Sequence, residues 1–263
     1  MKRSRVPMAV SMVVLVFFYL PIVLLIIQSF NASKYGGSWQ GFSFKWYGLL
    51  FENRAVWKAT QNTAVVALFS TICSTILGTL GAWTLHHYRS RIQHAHYLLV
   101  YAPLVFPDIL MGISLLLFFV HMHIPLGLPT IIVAHITFCT SYVAFVVLGR
   151  LQDFDMALIE ASQDLGAGWG TIIWRILLPV LGPGILAGAL LAFTLSIDDF
   201  VITFFVSGPG SATLPVYVYS MMKMGSPAII NALCTLFMLV TFSIVIVGQR
   251  MLTKNIQSSQ SRI

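Results

Sequence analysis

Charge is what this chain has least of. Only 9% of its 263 residues are Asp, Glu, Lys or Arg, against roughly 25% in an ordinary soluble domain. Hydrophobic residues make up 58% of the sequence, and mean hydropathy is +0.88. A surface of that composition could not be wetted, which excludes a soluble globular protein and implies an integral membrane protein. Acids are the scarcer sign, eight against 15 Lys and Arg, for a net charge of +7. In a soluble chain that excess would suggest nucleic acid; here it orients the chain in the bilayer, and no nucleic-acid partner is expected. Cys73, Cys139 and Cys234 lie in apolar stretches without CxxC spacing, so they read as small core residues rather than metal or redox groups. No G-x-x-x-x-G-K-[ST] stretch occurs, so no loop is expected to cradle nucleotide phosphates. Internal repeats and low-complexity runs are also missing.

What is present is a series of long apolar runs. A hydrocarbon core of about 30 Å needs roughly 20 apolar helical residues. Runs at about 8–29, 62–85, 97–121, 129–149, 180–206 and 229–249 predict an all-α membrane protein with six transmembrane helices. Basic residues precede the first run, but it exceeds the roughly 7–15 residues of a signal-peptide core and no A-x-A site follows, so an uncleaved helix is expected. An even number of spans puts both termini on one side. That side collects Lys2, Arg3, Arg5, Arg89, Arg91, Arg150, Arg175, Arg250, Lys254 and Arg262, against Lys34, Lys45, Arg54, Lys58 and Lys223 opposite. The richer side is expected to be cytoplasmic, with both termini there. The tail 253–263, rich in Ser and Gln, is expected to be flexible.

Acids inside such runs are the first functional signal. Residues 195–205 read LSIDDFVITFF, with Asp198 and Asp199 adjacent. Each acid at mid-helix costs about 2.5–3.5 kcal/mol on insertion scales, and such groups usually face a cavity or a partner. On a regular helix adjacent residues point about 100° apart. Asp198 then shares a face with Thr194, and Asp199 with Ser196 and Thr203. Both acids can line one cavity only if it is wide or the helix is irregular; for each, a structural interhelical bond is the alternative. Asp108 follows Pro107, with Pro103 one turn earlier. Proline removes an amide and clashes with the preceding turn, so the third helix is expected to kink or break, as helices do where they line a cavity. Asp108 either caps the new half-helix or meets a substrate, or does both. Ser196 is a weaker candidate, because serine is common at helix contacts in membranes. Trp46 and Tyr47 lie in the long aromatic outer segment 30–61. They either anchor at the interface or hold a cation on a ring face, an attraction worth ~0.5–2 kcal/mol. The pairs His94/His96 and His121/His123 are spaced i, i+2, which does not put both rings on one helical face, so no metal site is expected.

The inner segment 153–179 reads DFDMALIEASQDLGAGWGTIIWRILLP. Its first half predicts a short helix capped by Asp153 or Asp155. Gly166, Gly168 and Gly170 interrupt it, and a second helix runs from about Trp169 into Pro179. Trp169, Ile172, Ile173 and Ile176 fall on one face of that helix. The segment is either a connector lying on the membrane or a docking element for a soluble partner.

Glu160-Ala161-Ser162, Gly166 and Ile176-Leu177-Leu178-Pro179 resemble the EAA loop of ABC importer permeases. The family pattern is Glu-Ala-Ala, three residues, Gly, nine residues, Ile-x-Leu-Pro; the spacing matches, and the one departure is Ser162, still a small residue. QSFNAS at 28–33, WQGFSFKWYGLL at 39–50, FPDILMGISLL at 106–116, AHITFC at 134–139 and FTLSIDDFVITFFVSGPG at 193–210 are similar to the polyamine branch, the permease subunits of spermidine/putrescine importers. The resemblance implies a type I ABC importer permease fold, with 1–263 as a single transmembrane domain and 153–179 as its cytoplasmic coupling loop. It implies inward transport of a polyamine across a bacterial cytoplasmic membrane, with no enzymatic activity or cofactor of the chain's own. The implied partners are a homologous second permease, two cytoplasmic ATPase subunits, a periplasmic polyamine-binding protein and membrane lipid. It favours substrate contact for Asp108 and associates an aromatic at Trp46 with substrate handling; with Ser196, Asp198 and Asp199 these are the substrate-pathway candidates, and Glu160, Ala161, Gly166, Leu178 and Pro179 are the ATPase-coupling candidates. The alternatives are a permease for another cationic or small solute and a proton-coupled secondary transporter. The latter often shows two related halves, which this sequence lacks. An intramembrane aspartyl protease would leave the EAA loop unexplained.

Overall fold

The computed structural model describes residues 5–87, 93–225, 227–239 and 242. The elements are helices α1 (Arg5–Ser29), α2 (Lys45–Glu52), α3 (Arg54–His87), α4 (Gln93–Val105), α5 (Asp108–His121), α6 (Leu128–Leu151), α7 (Ala157–Asp164), α8 (Trp169–Ile172), α9 (Leu178–Asp198), α10 (Val201–Val206), α11 (Leu214–Lys223) and α12 (Pro227–Leu239). Among the described residues a single antiparallel bridge joins Asn31 to Phe42.

Four helices are long and apolar enough to cross a membrane: Val10–Ser29, Arg54–His87, Leu128–Leu151 and Trp169–Asp198; α4 and α5, bent by 111°, make a fifth if counted as one broken span. The expected six are thus four to five among the described residues. The sixth run, 229–249, is described only as α12 and residue 242, and the tail 253–263 lies outside the described residues.

Three boundaries differ from those read off hydropathy, each for a local reason. Helix α3 starts eight residues before the apolar run at 62, because the Asn53 side chain accepts from the amides of Ala55 (3.0 Å) and Val56 (3.3 Å) and caps it. Hydropathy marks the membrane, not the helix. Second, α8 and α9 are one continuous helix, so the inner loop runs straight into the fifth span. A π-helical turn, Ile173–Leu177, joins them, with the Leu178 amide donating to Ile173 O. Pro179, next in line, has no amide to restore the α pattern. Third, the run 180–206 is broken: Asp199 is extended (φ −64°, ψ 123°) between α9 and α10. The break expected at Pro107 is also present, with Pro107 extended (φ −58°, ψ 135°) ahead of α5.

The chain forms two compact units, residues 57–217 and residues 1–56 with 218–263. In the first, α6 is the central element, and Ile131, Ala134, Cys139, Val143, Val147 and Leu151 are fully buried along it. Glycines let its neighbours approach closely: a Cβ on Gly78 of α3 would lie 2.7 Å from Val143 Cβ, and one on Gly188 of α9 would lie 3.3 Å from Val143 Cγ1. In the second unit, buried Asn31 organises the segment after α1. Its Nδ2 donates to Gln28 Oε1 (2.9 Å) and Ser38 O (3.0 Å), and its Oδ1 accepts from the amides of Ser33 (3.1 Å) and Gln40 (2.9 Å).

Candidate substrate-binding site

The two broken spans meet at one cavity. Its volume is about 270 Å³, and Asp108, Asp198 and Asp199 all line it. The first residue of α5 supplies Asp108, the last of α9 supplies Asp198, and the extended link to α10 supplies Asp199. Thr194 adds a hydroxyl, and Phe138, Tyr142 and Phe200 supply aromatic wall. No Lys, Arg or His is among the lining residues. The break at Asp199 removes the geometric obstacle posed by a regular helix: adjacent acids lie on one cavity because the chain between them is not helical.

The acids are not equivalent. Asp108 and Asp198 are exposed, and among the described residues no hydrogen bond or ion pair engages either carboxylate. Asp108 sits in the first turn of α5, where the helix dipole favours negative charge, but no side-chain cap bond forms there. Asp199 is engaged on both oxygens. Its Oδ2 accepts from the Thr203 amide (2.8 Å) and hydroxyl (2.7 Å), and lies 3.3 Å from His135 Nε2; its Oδ1 accepts from the Ile202 amide (3.3 Å). These bonds offer the backbone an alternative to continuing α9, which is the physical cause of the break.

Ser196 lies behind the wall rather than on it. It is buried, with its Oγ 2.8 Å from His135 Nδ1 and 3.0 Å from Ser70 Oγ. His135 is fully buried on α6, and its Nε2 is also 2.9 Å from Thr203 Oγ1. Sequence reasoning gave His135 no role. The available signal was the one applied to the acids: a lone polar side chain in an apolar span needs partners.

Trp46 belongs to the other compact unit. Its ring is 5% exposed, its indole N–H donates to Asn31 O (2.7 Å), and Lys45 Nζ lies 5.5 Å from its centroid. Tyr47 shares a hydrogen bond with Ser29 (2.7 Å) and packs against Phe30 and Phe44.

The inner loop has the helix–turn–helix form expected of it. Asp155 caps α7 by accepting from the Ala157 amide (2.9 Å). The helix ends in a Schellman turn: the Gly166 amide donates to Gln163 O (2.8 Å), the Ala167 amide donates to Ser162 O (3.0 Å), and Gly166 has φ +80°. Buried Phe154 and Ile159 anchor the loop, whereas Glu160, Ala161, Gly166 and Pro179 are exposed and Leu178 is half-buried. Leu165 (89% exposed) and Trp174 (75%) project with them.

Residues 74–257 match the family described as the binding-protein-dependent transport system inner membrane component. The chain belongs to this family. It is 41% identical over 233 residues to the spermidine/putrescine transport system permease protein PotC of Escherichia coli (strain K12), covering 89% of this chain and 88% of that one. It is 38% identical to PotC of Haemophilus influenzae, over 97% and 99% of the two chains. It is 44% identical to the putrescine transport system permease protein PotI of E. coli (strain K12), over 84% and 82%. The fold matches a bacterial ABC transporter involved in the import of the acidic polysaccharide alginate, with TM-score 0.73 and 16% identity over 95% of this chain and 98% of that one. It also matches the MetNI methionine ABC transporter, with TM-score 0.61 and 22% identity over 80% and 97%. The fold is therefore that of an ABC importer permease, and the protein is a multi-pass membrane protein.

Proposed function

We propose that this chain is the transmembrane permease subunit of an ABC importer that carries polyamines inward across a bacterial cytoplasmic membrane, with both termini cytoplasmic. The observation that carries the reading is the grouping of three carboxylates at two helix breaks around one cavity without a basic residue. Putrescine carries two ammonium groups and spermidine three, and a polycation losing its water needs carboxylates in return. The names of the PotC and PotI relatives support the same substrate class. Asp108 and Asp198, which have no bonded partner among the described residues, are the primary ammonium contacts. Asp199 contributes from the wall, Ser196 positions it from behind, and Trp46 holds the outer segment in shape. At about 270 Å³ the cavity falls below the roughly 300–1,000 Å³ of small-molecule sites, which suits half a site completed by a homologous second permease.

ATP is hydrolysed elsewhere in this reading, because the chain has no phosphate-cradling loop of its own. The loop 153–179 docks a cytoplasmic ATPase, one of two, through Glu160, Ala161, Gly166, Leu178 and Pro179. The exposed Leu165 and Trp174 beside them have the apolar character of a docking face. A periplasmic binding protein delivers the substrate, and the chain acts as one transmembrane domain. The test is copurification of the complex, followed by uptake of labelled putrescine and spermidine into proteoliposomes. Uptake requiring ATP, the ATPase and the binding protein is expected. Uptake by this chain alone, or uptake of an unrelated solute that polyamines do not compete, overturns the reading.

A further inference from the structure

Behind the cavity wall runs a chain of buried polar groups: Ser70 on α3, Ser196 on α9, His135 on α6, Thr203 on α10 and the Asp199 carboxylate. Its direction can be worked out from donors and acceptors. The Thr203 hydroxyl donates to Asp199 Oδ2 (2.7 Å), so its oxygen is left to accept from His135 Nε2–H (2.9 Å). That makes Nδ1 the acceptor of the imidazole, and Ser196 O–H donates to it (2.8 Å). Every member is then satisfied, as a buried network must be.

The consequence falls on the carboxylate. Asp199 Oδ2 accepts from the Thr203 amide and the Thr203 hydroxyl and has His135 Nε2 3.3 Å away, whereas Oδ1 receives only the Ile202 amide at 3.3 Å. The side chain is 10% exposed and lines the cavity. The acceptor capacity left for a ligand therefore lies on Oδ1. We propose that His135 is a positioning residue for substrate: by holding Thr203 and Asp199 Oδ2 from behind, it fixes the carboxylate rotation that offers Oδ1 to a substrate ammonium. This deepens the polyamine reading and rests on it for the ligand.

Two substitutions separate positioning from bulk structure. His135→Gln can place an amide near the position of Nε2 and keep the bond toward Thr203 and Asp199. His135→Asn reaches only the position of Nδ1, keeping Ser196 and losing the carboxylate side. In the reconstituted complex, H135N is expected to raise the apparent KM for putrescine and spermidine by about tenfold while changing kcat by less than about twofold, as for loss of a bond to a charged group. H135Q should recover most of that affinity, and Thr203→Val should resemble H135N. A readout independent of transport is the carboxylate stretching band of Asp199 in infrared difference spectra, with Asp199→Asn as reference. It should shift in H135N and return in H135Q. An unchanged KM and band in H135N overturn the proposal, as does an equal loss of folded complex in both variants. Wild-type complex that takes up no polyamine refutes the substrate reading instead, and the infrared comparison still decides the role of His135.

Discussion

Replacing Asp198 and Asp199 singly with Asn should give distinguishable phenotypes, although the residues are adjacent and the chemical change is the same. Asp199 accepts bonds from the Thr203 amide and hydroxyl and the Ile202 amide, with His135 Nε2 also 3.3 Å from Oδ2. An Asn there can keep its oxygen at the Oδ2 position, but its NH2 group then faces the Ile202 N–H, donor against donor, and the charge that strengthened the set is gone. Hydrogen bonds to charged groups are worth roughly 1.5–3 kcal/mol each, so losing about one such bond's worth of stability is expected. Asp198 has no such bond among the described residues, and a substitution away from structural features costs within about 0.5 kcal/mol. Its loss should fall on transport. One ammonium–carboxylate contact of roughly 1.5–3 kcal/mol corresponds to about a 10- to 150-fold rise in apparent KM. The effect should be larger for spermidine than for putrescine if several ammonium groups bind together. The assay is paired: yield and thermal stability of detergent-extracted complex, then uptake against substrate concentration. D198N should purify like wild type and transport weakly, and D199N should assemble in lower yield, melt earlier and, in the complex that does assemble, also show a raised KM. An unchanged KM for both polyamines in D198N, or a D199N complex as stable as wild type, would refute this division of labour.

Three further outcomes are expected. Asp108→Asn should cut uptake at low substrate by about tenfold, the lower end of a charged-contact loss, with normal assembly, because its carboxylate makes no bond among the described residues; a matching loss of expression would point to helix capping instead. Gly166→Pro cannot hold φ +80°, since proline fixes φ near −65°, and it removes the amide bond to Gln163 O. The variant should insert yet fail to couple, and ATP hydrolysis still in step with transport would exclude the docking role. Gly208→Ala would place its Cβ 2.0 Å from Leu126 O and 2.5 Å from Leu126 C, backbone atoms that cannot swing aside. Overpacking of this kind costs about 1–3 kcal/mol or more, so the yield of folded protein should drop; a normal yield would mean that the two loops separate readily.

The class of this protein was legible in its sequence because hydropathy and insertion cost are properties of single residues and short windows. Long apolar runs, scarce charge and the spacing from Glu160 to Pro179 each carry their meaning without tertiary contacts. The same holds for Pro107, whose missing amide breaks a helix wherever the helix packs, and for Gly166, whose lack of a Cβ suits the turn that ends α7. Asp108, Asp198 and Asp199 stood out because a charge in an apolar run must be offset by something. What offsets it was not legible. Whether Asp199 faces a cavity or a partner depends on His135, which lies on α6, and on a helix break that Asp199 helps to create by capping α10. Hydropathy runs smoothly across that break, since Val201 to Val206 is as apolar as the helix before it. Ser196 shows the same limit: its periodicity placed it on a face with Asp199, but only the packing of α9 against α3 and α6 put Ser70 and His135 within hydrogen-bond distance. Local chemistry determined which residues need partners, and the three-dimensional arrangement decided which partners they found.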